Sequence, residues 1–180
     1  FSPTYYQRIF YTFLCDCLDF EMDLLHFIIL GFHDQKSLEN ITIPAIFRLE
    51  CLEKELRKMA DRMYGFTRFE ELKDGSLYAK VETKFNLLPL LGSHFSKRLG
   101  THPFIIHDIK RSLAYIKNDS QSSIQKVASF ETPEVSDNEV VILALWKTFF
   151  KHVGIENRRN TKLQKSHVPL LYRTYMSEFH

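Results

Sequence analysis

Between Ile46 and Met63, the residues Leu49, Leu52, Leu56, Met59, Ala60 and Met63 recur at three- and four-residue spacing, which predicts an amphipathic helix. On its other face Glu50 with Lys54, Glu53 with Arg57, and Arg57 with Asp61 stand four apart, the spacing of ion pairs on a solvated surface. Upstream, from Pro3 to about Ile41, the pattern predicts two more helices. The second runs from Asp19 as N-cap, with Glu21 and Asp23 in its positive first turn, to Gly31 as its stop. Its nearly unbroken apolar run predicts burial. At Gly65 the period changes from helical to two. Phe66–Leu72 and Ser76–Glu82 flank Lys73-Asp74-Gly75, a hairpin signal, and Leu77, Ala79 and Val81 alternate with Tyr78, Lys80 and Glu82. A helix over Phe85–Leu99 follows, then a second hairpin, Phe104–His107 with Leu113–Lys117, turning at Asp108–Arg111. Asn118–Ser123 reads as a polar loop, and Ile124–Phe130 as a fifth strand.

The last third returns to helices. Ser136 with Glu139 forms a capping-box signature for a helix to Val153 that ends at Gly154. Val140–Trp146 is apolar nearly all round, which predicts a central helix with a buried Trp146. A polar, basic loop over Ile155–Ser166 leads into a short helix with Pro169 in its first turn. Helices, a ββαββ unit and helices again define an α+β class. The expected form is one domain over 1–180, with a helical part at 1–63, an antiparallel sheet of two hairpins at 64–130, and C-terminal helices at 131–180.

Composition narrows the function classes. Hydrophobic residues at 44% and charged residues at 26% exclude wholesale disorder. Sixteen Phe and eight Tyr can fill a core or offer faces for base stacking. The apolar run Leu24–Phe32 contains His26 and is far shorter than the ~20 residues of a membrane span. Phe1–Gln7 lacks the basic-then-apolar order of a signal peptide, and the missing initiator Met suits a processed, trimmed or partly ordered chain. Three cysteines cannot all pair, and Cys15 and Cys17 are poorly spaced for chelation on a helix. The expectation is a reduced, cytosolic protein.

The net charge of +2 conceals an asymmetry. From Lys147 onward seven Lys or Arg face only Glu156 and Glu178, whereas the first 146 residues carry 17 basic and 20 acidic side chains. Basic character at one end points to a polyanionic partner. The candidate interface is Arg158, Arg159, Asn160, Lys162, Gln164 and Lys165, with His167, Tyr172 and Arg173 following. Guanidinium forks match phosphate oxygens, Lys adds point charge, and Asn or Gln can read phosphates or base edges. The bland alternative is that the arginines cap carbonyls and the lysines are merely hydrated.

A second cluster is His102, His107, Asp108, Lys110 and Arg111, with His94 and Arg98 on the preceding helix. His94, His107 and Asp108 are the candidates for acid-base chemistry. Neighbours on a strand point to opposite faces, so Asp108 reads better as a turn-former closing its hairpin, and no metal or cofactor is expected. Arg68 and Glu70 share a strand face and are expected to pair across the sheet. No GxSxG or Gly-rich phosphate loop exists.

Four stretches, YGFTRFEELKDGSLYAKVE (64–82), LLPLLGSHFSKRL (87–99), FIIHDIKRSLAYI (104–116) and ENRRNTKLQKSHVPLLYRTYMSEF (156–179), together resemble a DNA-metabolism family of unknown function. Its members occur fused to a uracil-DNA-glycosylase-like domain or beside a radical SAM protein suspected of DNA modification or repair. The likeness spans Leu24 to the C-terminus. The family usually has Pro at the place of Thr161, an aromatic pair at Tyr172 and Arg173, and an additional segment before the start of this chain. The resemblance implies a DNA-metabolism or DNA-repair association with a glycosylase-like or radical SAM partner.

Two readings follow. One is a noncatalytic nucleic-acid-binding or adaptor module, with single-stranded DNA the preferred ligand because Tyr172 and Tyr175 follow the basic stretch. The other is an enzyme acting on nucleic acid, with His94, His107, Asp108 and the basic segment meeting in one cleft. A scaffold would instead show a broad exposed apolar patch.

Overall fold

A computed structural model of the chain describes residues 2–16, 20–119, 121–127, 134–155, 158 and 160–179. They divide into two compact units. The first takes the chain up to Met63 together with Thr83–Leu87, and the second takes Tyr64–Glu82 and everything from Leu88 onward.

In the first unit α1 spans Pro3–Leu14 and α2 Glu21–His33. A 3-10 turn, Gln35–Glu39, leads on to α3, Pro44–Phe66, whose residues up to Met63 belong to this unit. The core is Phe27, Leu38, Ile46 and Leu49, with Tyr5, Ile9, Leu30 and Ile43 packed around it. Leu49, Leu56, Met59, Ala60 and Met63 are buried as their spacing requires, and Glu50–Lys54 and Glu53–Arg57 pair on the outer face. Glu53 also takes Arg8 of α1 at 2.8 Å, so that face is not purely solvated. The Asp19 cap lies outside the described residues, and Phe20 stands at the N-cap position of α2. Gly31 does not stop α2, which runs on to His33. Asp34 then accepts from Lys36 N and caps the 3-10 turn. Nor is α2 buried all round. Phe27 packs in the core while Met22, Leu25, Ile29 and Phe32 are largely exposed to solvent, so an apolar run does not by itself bury a helix on every side.

The second unit is built on a five-stranded sheet in the order β1 (Glu70–Glu71), β2 (Leu77–Val81), β3 (Phe104–Asp108), β4 (Leu113–Asn118), β5 (Gln121–Lys126). Gly75, at φ +82, turns β1 into β2. Between β2 and β3 the chain crosses through α4, Leu88–Leu99, so β3 returns parallel to β2 while the other three pairings are antiparallel. The fold is thus α+β with a mostly antiparallel, mixed sheet. The first expected strand shrinks to two residues, with Leu72 bridging Val135. The expected loop at Asn118–Ser123 is instead the end of β4, a turn at Asp119, and the start of β5. Every residue of β5 is exposed, so it exists through its hydrogen bonds to β4 and not through any apolar alternation.

After the sheet come α5 (Asp137–Val153), α6 (Thr161–His167), α7 (Leu170–Arg173) and a 3-10 turn at Ser177–Phe179. Ser136 caps α5 through Glu139 N, but Glu139 does not return the bond. Ser136 N donates to Glu71 O, and the Glu139 carboxylate accepts from Glu71 N at 3.1 Å, so half of the capping box ties α5 to β1. The expected basic loop at Ile155–Ser166 becomes a short helix over its second half, capped where Asn160 Oδ1 accepts from Leu163 N. The expected burial of α5 fails. Among its described residues only Glu139 is buried, and Trp146 is 39% exposed. An apolar sequence buries a helix only as far as partners exist to cover it.

Candidate functional site

The second unit contains a cleft of about 700 Å³. Strand alternation puts Leu77, Ala79 and Val81 on one side of β2 and Tyr78 and Lys80 on the other. Glu70 of β1 stands directly opposite Tyr78 in the register. Glu70, Tyr78 and Lys80 form the strand wall of the cleft. The helix wall comes from α5, whose Glu139, Leu143, Trp146 and Lys147 share one face at helical spacing. Thr174, Tyr175 and Ser177 of the C-terminal segment complete the lining.

Two sets of bonds fix these walls. Glu139 joins α5 to β1, and Ser136 Oγ donates to Glu71 Oε2 at 3.2 Å. At the other end Arg68 clamps the C-terminal segment, with Nη2 2.6 Å from Glu178 Oε1 and Nη1 donating to Gly65 O at 2.7 Å. Arg68 therefore pairs with Glu178, 110 residues away, and not across the hairpin as its strand position suggested. Burial pushes the Glu178 carboxyl up. The Arg68 guanidinium, a backbone N–H and the Trp146 indole, whose Nε1 lies 3.5 Å from Glu178 Oε2, outweigh this and hold it below its ordinary value.

At the base of the strand wall the buried Tyr78 hydroxyl shares a hydrogen bond of 3.0 Å with His107 Nδ1. Burial, with Glu70 and Tyr175 nearby, pushes the Tyr78 phenol up to about 12. Burial also pulls the His107 imidazole down, with Lys80 adding to the effect and Asp108 opposing it. Both groups are thus held neutral near pH 7. Tyr175 donates to Glu82 Oε2 at 3.1 Å, and burial followed by Glu82 raises its phenol.

Of the residues expected to act as acid or base, His94 stacks on Tyr64 at 4.1 Å between ring centroids, and His107 is engaged by Tyr78. Asp108 is fully buried. Its carboxylate accepts from Arg111 N at 3.2 Å and from Arg111 Nη1 at 2.8 Å, which is the turn-closing role its position predicted. None of the three lines the cleft, and His107 stands behind its strand wall, bonded to Tyr78 and opposite Lys80 in the ladder. Among the described residues no three His, Cys, Asp or Glu side chains are grouped to hold a metal.

The basic segment separates into two sets. Arg158, Lys162, Gln164, Lys165 and His167 are exposed. Asn160 is spent on its cap, the Tyr172 ring lies 5.4 Å from that of Phe66, and Arg173 donates to Val168 O with its guanidinium 4.2 Å from the Phe179 centroid. Arg159 lies outside the described residues. Sequence reasoning missed the cleft residues Glu70, Tyr78, Lys80, Trp146 and Lys147 as a group. The only local signal was strand alternation, which put Tyr78 and Lys80 opposite the core face of β2.

A mixed sheet flanked by helices, with an aromatic and charged cleft and no metal cluster among the described residues, defines an α+β domain with a candidate binding site. The chain belongs to the DUF4130 family, a domain of unknown function whose family model matches residues 19–178. No curated protein and no solved structure matches the chain. No described helix is long and apolar enough to cross a membrane.

Proposed function

We propose that this chain is a noncatalytic nucleic-acid-binding and adaptor module of DNA metabolism or repair. It holds single-stranded DNA and works beside a glycosylase-like or radical SAM partner. The observation that carries the reading is the exposure of Arg158, Lys162 and Lys165 in the part of the chain where seven basic residues face two acidic ones. Among the described residues none of the three has a carboxylate partner, which leaves them available to phosphates. The nature of the partner rests on the family resemblance of the four sequence stretches. Val141, Leu145, Phe149 and Val153 are exposed along α5, the apolar surface expected of a scaffold, and this supports a protein-contacting role beside the nucleic-acid one. Against an enzyme acting through His94, His107 and Asp108 stands the engagement of Asp108 by Arg111 and of His107 by Tyr78.

A fluorescence-anisotropy titration of labelled single-stranded DNA at two salt concentrations tests this. The variant Arg158→Ala, Lys162→Ala, Lys165→Ala should bind more weakly, with the slope of log affinity against log salt lowered by about 0.7 for each phosphate that it no longer neutralises. Equal binding by variant and native chain, or no binding at low salt, would refute the reading.

A further inference from the structure

The cleft combines features that the exposed basic segment lacks. Trp146, stacked on Phe149 at 5.8 Å, presents an indole to it, and Tyr78 and Tyr175 add aromatic walls. Lys80 and Lys147 both line it, and among the described residues neither forms an ion pair. Lys80 Nζ sits 5.7 Å from the Tyr78 ring centroid instead. Glu70 has no cationic partner among the described residues either, and it supplies an acceptor to a cleft whose other carboxylate, Glu139, is already taken by Glu71 N. The volume of about 700 Å³ falls within the ~300–1,000 Å³ of small-ligand sites.

A flat aromatic face beside two ammonium groups and one carboxylate that no backbone donor engages matches a ligand with three parts: a planar ring, an anionic group and an amino or imide N–H donor. We propose that the cleft binds a nucleotide, its base against Trp146 and its phosphate between Lys80 and Lys147, with Glu70 accepting from the base edge. The nucleotide is either free or one unit of a single strand. The second source rests on the proposed DNA-binding function, and in sequence the basic segment lies between the two cleft-lining stretches that end at Lys147 and begin at Thr174.

Trp146 is the only tryptophan, so all tryptophan emission comes from a residue that lines this cleft. The experiment titrates the protein with thymidine monophosphate, a short oligodeoxythymidylate, and the same strand made abasic, reading tryptophan emission and, for labelled strands, anisotropy. The intact strand should change Trp146 emission saturably. The abasic strand should leave emission unchanged and bind roughly ten- to hundredfold more weakly, the worth of one stacked base. Lys80→Gln should weaken the intact strand and lower its salt slope by about 0.7, and Lys147→Gln, on the exposed face of α5, should do the same without touching the sheet. Lys110→Gln, in the turn between β3 and β4, should behave as native. Emission changed by the monophosphate but by no strand assigns the free nucleotide as the ligand. A strand that binds by anisotropy with Trp146 silent, or with both lysine variants binding as native, overturns the cleft proposal and leaves the DNA reading standing. Silence from all three ligands by both readouts overturns both.

Discussion

Gly92 lies in α4 beneath Tyr115 of β4, and a Cβ at that position would stand 2.2 Å from the ring carbon Cε2. Carbon atoms pack at ~3.5–4.0 Å, so Gly92→Ala requires the ring to withdraw by more than an ångström. The ring is not free to do so. It stacks on Phe104 at 5.7 Å with planes 17° apart, and its hydroxyl lies 3.1 Å from Ser96 Oγ. Overpacking of this kind costs ~1–3 kcal/mol, while Ala gains ~0.8–1 kcal/mol over Gly in a helix interior. The balance is a destabilisation of up to about 2 kcal/mol in the native chain. With Tyr115→Val the ring is gone and only the propensity gain remains, so the same substitution should then stabilise by up to ~1 kcal/mol. Urea unfolding of the four chains, followed by Trp146 emission and far-UV circular dichroism, measures both steps. A Gly92→Ala chain more stable than the native one, or an equal effect in both backgrounds, would refute the argument.

Removing the clamp by Arg68→Ala leaves the nearly buried Glu178 carboxylate, among the described residues, with only the indole for a side-chain partner, and should cost about 1–3 kcal/mol at neutral pH by the same denaturation assay. Because the folded Glu178 value is depressed, its contribution is whole above the ordinary 4.5 and is lost as pH falls through the folded value; Glu178→Gln should flatten that acid limb. His107 is depressed too, but as a base: the unfolded chain takes up a proton at about 6.5 while the folded chain does not, so stability declines as pH falls below 6.5. Its ring protons should titrate below 6.5 by NMR, and a titration at or above that value contradicts the burial argument. Trp146, 39% exposed, should be quenched by iodide in the native state, and complete protection would show that α5 is covered after all.

The elements most legible in the sequence were those whose signals are local. The α3 stripe needs only its own residues to specify a helix and the side it buries. The Asp74-Gly75 turn needs only a residue that accepts φ +82, and Ser136 reaches Glu139 N from three residues away. Tertiary structure decided whatever depends on a distant partner. The strand expected from Ile124 begins instead at Gln121 and ends at Lys126, because the ladder to β4, and no apolar alternation of its own, sets its bounds. The exposure of α5 reflects which sides of it the second unit covers, which no helical period encodes. The cleft joins β1, β2, α5 and the C-terminal segment, and its clamp links residues 110 apart in the chain. The basic segment was visible as charge. Which of its side chains are spent on caps and rings and which remain open, Asn160 and Arg173 against Arg158 and Lys165, was settled by packing, because a cation's availability depends on what folds against it.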